Sequence, residues 1–168
     1  IIFMKKFSLL FLCVVICSLS AIAQQQITLD EIWGGAFRTK GMDELNALKN
    51  TNQYTVLNAN RASKSYQIDL YDFATLEKVS TLFDTKNHAE ITSIDSYTFD
   101  TNEKKILIAT NSNPIFRHSF TADYFVYDIT TKKVSKFSNN QVQNPTFSAD
   151  GTKICYAFEN DLYVYDFI

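Results

Sequence analysis

Short runs of apolar and β-branched residues alternate with polar clusters along most of the chain. Val, Ile, Thr, Tyr and Phe dominate these runs, as is typical of strands. Clusters such as Asp150-Gly151 and Glu159-Asn160-Asp161 lie between the runs and are typical of turns. The predicted strands cover residues 54–57, 65–71, 105–109, 123–127, 153–158 and 161–165. This pattern predicts an all-β fold.

One short helix is predicted ahead of the strands. Thr28 and Glu31 have the spacing of a capping box, and Gly34-Gly35 would end the helix. The next segment, 43–49, is ambiguous, because Leu45 and Leu48 have helical spacing within a pattern that is otherwise typical of strands.

An internal repeat indicates the architecture. Thr98-Phe99-Asp100 recurs as Thr146-Phe147-Ser148, and Lys105-Ile106 recurs at the same offset as Lys153-Ile154. Aromatic strands also end in Tyr-Asp three times, at Tyr71, Tyr127 and Tyr165. Units of about 40–50 residues with several short strands each are typical of β-propeller blades. An all-β sandwich is the alternative, but it would not explain matched turns at a fixed offset.

The length of the chain sets how many blades are expected. A propeller has about 4–8 blades of about 40 residues each, so even four blades need about 160 residues. Removal of a predicted signal peptide would leave 145 of the 168 residues. We therefore expect a partial β-propeller of two to three blades of antiparallel strands. The predicted organisation is a cleaved signal peptide at 4–23, an N-terminal segment leading into the propeller at 24–50, and the incomplete propeller at 51–168.

The signal peptide is predicted from three features at the start of the chain. Met4-Lys5-Lys6 is positively charged, residues 7–16 are almost entirely apolar, and Ala21-Ile22-Ala23 offers a cleavage site. Its removal leaves Cys155 as the single cysteine, so no intramolecular disulfide is expected. An exported chain without disulfides favours the bacterial periplasm or cell envelope. Cys155 is predicted to be a small buried hydrophobe.

Charge and composition narrow the possible functions. The formal net charge of -2 argues against nucleic acid as a partner. The four glycines form neither a phosphate-binding loop nor a nucleophile elbow. His88 and His118 have no ligand-spaced partners, so no metal or cofactor is predicted. Glu159 and Asp161 are interpreted as solvated turn residues. No catalytic residue is predicted in this chain.

One segment carries a specific resemblance. It contains Phe116-Arg117-His118-Ser119, then Thr121-Ala122, and then a strand that ends in Tyr127-Asp128. This segment resembles the dipeptidyl peptidase IV branch of the prolyl oligopeptidase family of serine peptidases. The segments 27–38 and 145–164 resemble neighbouring parts of the same family. The resemblance covers nearly all of the chain that would follow the signal peptide.

The resemblance implies a larger enzyme with an N-terminal propeller and a C-terminal α/β-hydrolase domain. Such an enzyme would release Xaa-Pro and Xaa-Ala dipeptides from peptide N-termini, and it would be expected to form a homodimer. Arg117 matches the propeller arginine that holds a substrate carbonyl. The catalytic triad, and the glutamate pair that binds the substrate's amino terminus, would lie outside this chain. The alternative hypothesis is a non-catalytic periplasmic propeller that acts as a binding or scaffold protein, with Arg117 an ordinary surface residue.

We predict that the isolated 168-residue chain has no peptidase activity, because the triad implied by the resemblance lies elsewhere. Release of a chromophore from a Gly-Pro substrate measures this directly. Measurable turnover would contradict the prediction.

Overall fold

The computed structural model describes residues 27–39, 41, 44–60 and 62–167. The predicted signal peptide, 4–23, lies outside these residues. The chain divides into two compact units, Ile1–Met42 and Asp43–Ile168. In the described part of the chain, no helix is both long and apolar enough to cross a membrane.

The described part of the first unit contains helix α1, Leu29–Gly34. The predicted capping box is present: the Glu31 N–H donates to Thr28 Oγ1 at 3.2 Å, and the Thr28 N–H donates to Glu31 Oε2 at 2.9 Å. Gly35 ends the helix in the left-handed region, with φ of 78°, which glycine adopts without a steric penalty. The short helix and both of its boundary signals are therefore confirmed.

The second unit consists of three antiparallel sheets. The first two have four strands each and the third has three. Within each sheet, consecutive strands are hydrogen-bonded neighbours, which is the arrangement of a propeller blade. The partial propeller is therefore confirmed.

The first sheet contains β1 Leu45–Ala47, β2 Gln53–Asn60, β3 Ser65–Asp72 and β4 Lys78–Asp84, followed by a 3-10 turn, Thr85–Asn87. The second contains β5 Ser96–Phe99, β6 Lys105–Phe116, β7 Ser119–Asp128 and β8 Val134–Lys136, and the third β9 Gln143–Phe147, β10 Lys153–Phe158 and β11 Asp161–Asp166.

The first sheet begins before residue 51, where we expected the propeller to start. Leu45 pairs with Val56, and Ala47 pairs with Tyr54, so the ambiguous segment supplies the first strand. Three residues are too few for a period-2 pattern to be distinguished from helical spacing.

The repeated turn residues close equivalent turns between the first and second strands of two sheets. In the second sheet, the Glu103 N–H donates to the Asp100 carbonyl at 3.0 Å. In the third sheet, the Gly151 N–H donates to the Ser148 carbonyl at 2.9 Å. Glu103 and Gly151 both have positive φ, 56° and 70°. The sequence repeat therefore corresponds to a repeat in backbone geometry.

The Tyr-Asp repeat also has a structural cause. Asp128 Oδ1 accepts hydrogen bonds from the backbone N–H groups two and three residues later, at 2.9 and 2.7 Å. Asp72 Oδ1 does the same at 2.8 and 3.0 Å. These are Asx turns, in which the carboxylate satisfies backbone donors that the turn leaves unpaired. Each aspartate thereby fixes the turn from the third to the fourth strand of its sheet.

The second sheet is buried on both faces. Along β6, Ile106 and Ile108 belong to a core shared with the first sheet, whereas Leu107 and Ala109 belong to a core shared with the third sheet. Successive side chains of a strand point to opposite faces. A strand covered on both sides must therefore be apolar at every position. The first core also includes Ile68, Phe83, Ile91 and Tyr97, and the second Ala122, Phe137, Val142 and Ile154.

Cys155 is exposed, which contradicts the predicted burial. Its neighbours Ile154 and Tyr156 contact the core between the second and third sheets. Cys155 therefore lies on the opposite face of β10, beside exposed Val164. The sequence shows only that Cys155 lies in an apolar run. Its face is decided by the alternation of side chains along β10.

We predict that Ile108→Ala lowers the free energy of unfolding by about 2–5 kcal/mol, because it leaves a cavity between two packed sheets. Ile108 is 0% exposed. Ile115→Ala is the matched control, since Ile115 lies on the same strand but is 47% exposed. Chemical denaturation measures both changes. Equal losses in the two variants would contradict the prediction.

Candidate functional site

The segment that contains Arg117 forms the end of a long hairpin. Strands β6 and β7 pair along their length up to Phe116 and Ser119, so Arg117 and His118 form a two-residue turn. Both turn residues are exposed. The residues between the predicted strands 105–109 and 123–127 therefore lengthen both strands into paired arms. We call residues 111–121 the hairpin arm.

The hairpin arm begins at an irregularity in the pairing. The register of β6 against β7 shifts between Thr110 and Asn113, and Asn111 has a φ of 54°. Such a bulge bends a strand and increases its twist. The Ser112 N–H, released from the ladder here, donates to Asp95 Oδ2 at 2.8 Å. Asp95 therefore fixes the bend from the linker between the first and second sheets.

A charged network lies at the base of the hairpin arm. Lys136 Nζ lies 3.0 Å from Asp123 Oδ1, and Asn111 Nδ2 donates to Asp123 Oδ2 at 3.2 Å. Partial burial would raise the pKa of Asp123, but the hydrogen bonds from Lys136 and Asn111 outweigh it and lower that pKa from 3.8. Asp123 is therefore a carboxylate at neutral pH.

The tip of the hairpin arm combines a cation with exposed apolar side chains. Phe116 is 81% exposed, Ile115 is 47% exposed and Phe120 is 37% exposed. The Arg117 guanidinium carries five donors in a fixed fork and no acceptor, so it suits a carbonyl or carboxylate oxygen. The described residues of the tip thus place a donor for oxygen atoms beside an apolar surface.

His88 is a packing residue. Its ring stacks on Phe83, with centroids 4.9 Å apart, and meets Tyr127 edge-on at 5.4 Å. The three rings line a cavity of about 420 Å³, which also has Asp84 and Lys132 in its wall. Arg117 is not part of this wall. Across the described ranges, no group of three or more His, Cys, Asp or Glu side chains is placed to hold a metal ion.

The sequence analysis singled out Arg117 but did not name the residues that contact the base of the hairpin arm. Asp95 and Gln141 contact the base of the hairpin arm from other parts of the chain, and Asp123 contacts it from within β7. Asp95 and Gln141 belong to linkers between sheets and lie outside the segment that carries the resemblance, whereas Asp123 follows Ala122 within it. The one available signal was the polar character of these linkers beside apolar strands, which is also typical of ordinary loops.

Comparison with known proteins identifies several dipeptidyl peptidases as relatives. Residues 100–168 match the family model of the dipeptidyl peptidase IV (DPP IV) N-terminal region. Dipeptidyl aminopeptidase B of Saccharomyces cerevisiae is 30% identical over 114 residues, 68% of this chain. Dipeptidyl peptidase 4 of Felis catus is 36% identical over 75 residues, 43% of this chain.

A solved structure also matches. The crystal structure of Porphyromonas gingivalis dipeptidyl peptidase 4 aligns with 86% of this chain, with a TM-score of 0.69 and 26% sequence identity. The chain spans 21% of that protein, 13% of the yeast protein and 10% of the cat protein. The similarity thus concerns one part of much longer relatives.

We predict that Lys136→Met raises the pKa of Asp123, because it removes a hydrogen bond and a positive charge from the carboxylate. The contact stabilises the native state above the unfolded pKa of about 4, and this stability is lost as pH falls through the lowered native pKa. Titration followed by the NMR shift of the Asp123 carboxyl carbon measures the change. Lys133→Met, at an exposed position in the preceding turn, is the control and should leave that pKa unchanged.

Proposed function

From the premise that this chain contains a dipeptidyl peptidase IV N-terminal region, we propose that the whole protein is an exported serine exopeptidase. It releases Xaa-Pro and Xaa-Ala dipeptides from peptide N-termini. This chain supplies part of the propeller wall and one substrate anchor, Arg117. The proposal includes location in the periplasm or cell envelope and assembly as a homodimer.

The position of Arg117 is the observation that carries the proposal. It lies in the two-residue turn of the hairpin arm, where both neighbours of the turn are paired and the side chain is exposed. A paired ribbon carries the arginine away from the blade with fewer accessible backbone conformations than a loop would have. The guanidinium is therefore available to a molecule beyond the sheet.

The chemistry of Arg117 suits a peptide carbonyl. A charge-assisted hydrogen bond is stronger than a neutral one, and the guanidinium remains charged at any physiological pH. Holding the carbonyl of the second residue would fix the scissile bond relative to a nucleophile, which accelerates attack through orientation. Arg117 thus contributes to substrate binding, and bond cleavage is performed by groups outside this chain.

The exposed side chains beside Arg117 agree with this role. Phe116 precedes the arginine and is 81% exposed, so the tip presents an apolar surface next to the cation. A peptide with proline or alanine at its second position offers both an apolar side chain and a carbonyl. The tip therefore matches the two chemical features of the proposed substrate.

We predict that Arg117→Ala in the full-length protein lowers kcat/KM for a Gly-Pro chromogenic substrate about 10- to 100-fold. The reason is the loss of a hydrogen bond to a charged donor, worth about 1.5–3 kcal/mol. Arg117→Lys should recover only part of the loss, because an ammonium lacks the planar fork. Steady-state kinetics measure all three proteins.

His118→Ala is the matched control, because it changes the other residue of the same turn. It should cause a much smaller loss than Arg117→Ala. Equal activity of Arg117→Ala and the parent protein would refute the anchor. A full-length protein without any peptidase turnover would instead favour a non-catalytic binding or scaffold propeller.

A further inference from the structure

The side chain of Gln141 connects both strands of the hairpin arm. Its Oε1 atom accepts hydrogen bonds from Asn113 Nδ2 at 2.7 Å and from Thr121 Oγ1 at 3.2 Å. Its Nε2 atom donates to the Asn111 carbonyl oxygen at 2.9 Å. Asn113 and Thr121 are directly paired across the two strands. One amide therefore bridges the two strands at the base of the arm.

The backbone beside Gln141 is fixed. Val142 and Ala122 form an antiparallel bridge, with N–H to carbonyl distances of 3.1 and 3.0 Å. Both residues are buried in the core between the second and third sheets, at 1% and 0% exposure. A partly buried glutamine anchored next to such a bridge has little freedom to move away from the arm.

The hairpin arm depends on such contacts. The second sheet supports β6 through β5 only as far as Ala109, and it supports β7 through β8 only from Phe125 onward. Between these points, the described residues pair the two arm strands only with each other, apart from the single bridge at Ala122. An isolated two-stranded ribbon is marginally stable in water. The fraction of molecules in which the arm strands are paired and the tip is held in position therefore depends on polar contacts at the base of the arm.

We propose that Gln141 is a positioning residue for Arg117: by bridging both arm strands, it holds the arginine in the orientation that binds the substrate carbonyl. This inference rests on the proposed function of Arg117. The hydrogen bonds of Gln141 lie at the base of the arm and not at Arg117. Gln141 affects activity only by positioning Arg117, so its effect on activity disappears when the arginine is removed.

The first test measures the order of the arm directly. Trypsin cleaves after arginine, and cleavage at Arg117 requires the paired arm strands to open. In the full-length protein, Gln141→Ala should speed cleavage of the 117–118 bond about 5- to 10-fold, as expected for the loss of one to two net hydrogen bonds. Mass spectrometry identifies this bond among the other sites. Asn139→Ala, which removes an exposed amide from the same linker, should leave the rate unchanged.

The second test is a double-mutant cycle on kcat/KM for the Gly-Pro substrate. Gln141→Ala should lower kcat/KM about fivefold when Arg117 is present, and by less than about twofold in the Arg117→Ala background. A residue that only stabilises the fold would lower activity equally in both backgrounds.

The outcomes separate the two claims. If Arg117→Ala alone leaves kcat/KM unchanged, the proposed function fails. If Arg117→Ala lowers kcat/KM but Gln141→Ala has no effect, or has the same effect in both backgrounds, only the positioning role fails. An unchanged trypsin rate in Gln141→Ala would overturn the bridging role whatever the kinetics show.

Discussion

Packing between consecutive sheets is the constraint on which the rest of this structure depends. A four-stranded sheet has two faces, and the second sheet can bury both only by lying between two neighbours. Ile106 and Ile108 fill one interface, and Leu107 and Ala109 fill the other. These residues are nearly inaccessible to solvent. Burial of apolar area is the main favourable term in folding, so the apolar run in β6 accounts for the cover on both faces of the second sheet.

The hairpin arm extends from two strands that contribute to both hydrophobic cores. The segments of β6 and β7 that precede and follow the arm are the ones held between the two cores. Stacking also brings the linkers between sheets to the end of the second sheet from which the arm extends. One linker supplies Asp95 and the other supplies Gln141. The packing that stabilises the fold therefore also provides the contacts that fix the base of the arm.

The features that could be predicted from the sequence are those that depend on nearby residues or on a regular spacing of apolar residues. The capping box at Thr28, the Asx turns at Asp72 and Asp128, and the apolar runs each depend on residues within a few positions of one another. Gln141 could not be found in this way, because its partners lie about 20–30 residues earlier in the chain and its linker has no pattern of its own. The exposure of Cys155 was missed for a related reason, since it depends on strand parity relative to a neighbouring sheet.

Arg117 and the linker residues Asp95 and Gln141 contribute to the proposed anchor in different ways. Arginine has a long flexible side chain, and ordering it costs up to about 2 kcal/mol of entropy. Backbone disorder at its base would add further to this cost on binding. A paired arm that is fixed by Asp95 and Gln141 lowers the backbone part before any ligand arrives. Preorganisation of this kind improves binding without a new contact to the ligand. The polar linkers are thus as much a part of the proposed anchor as the arginine itself.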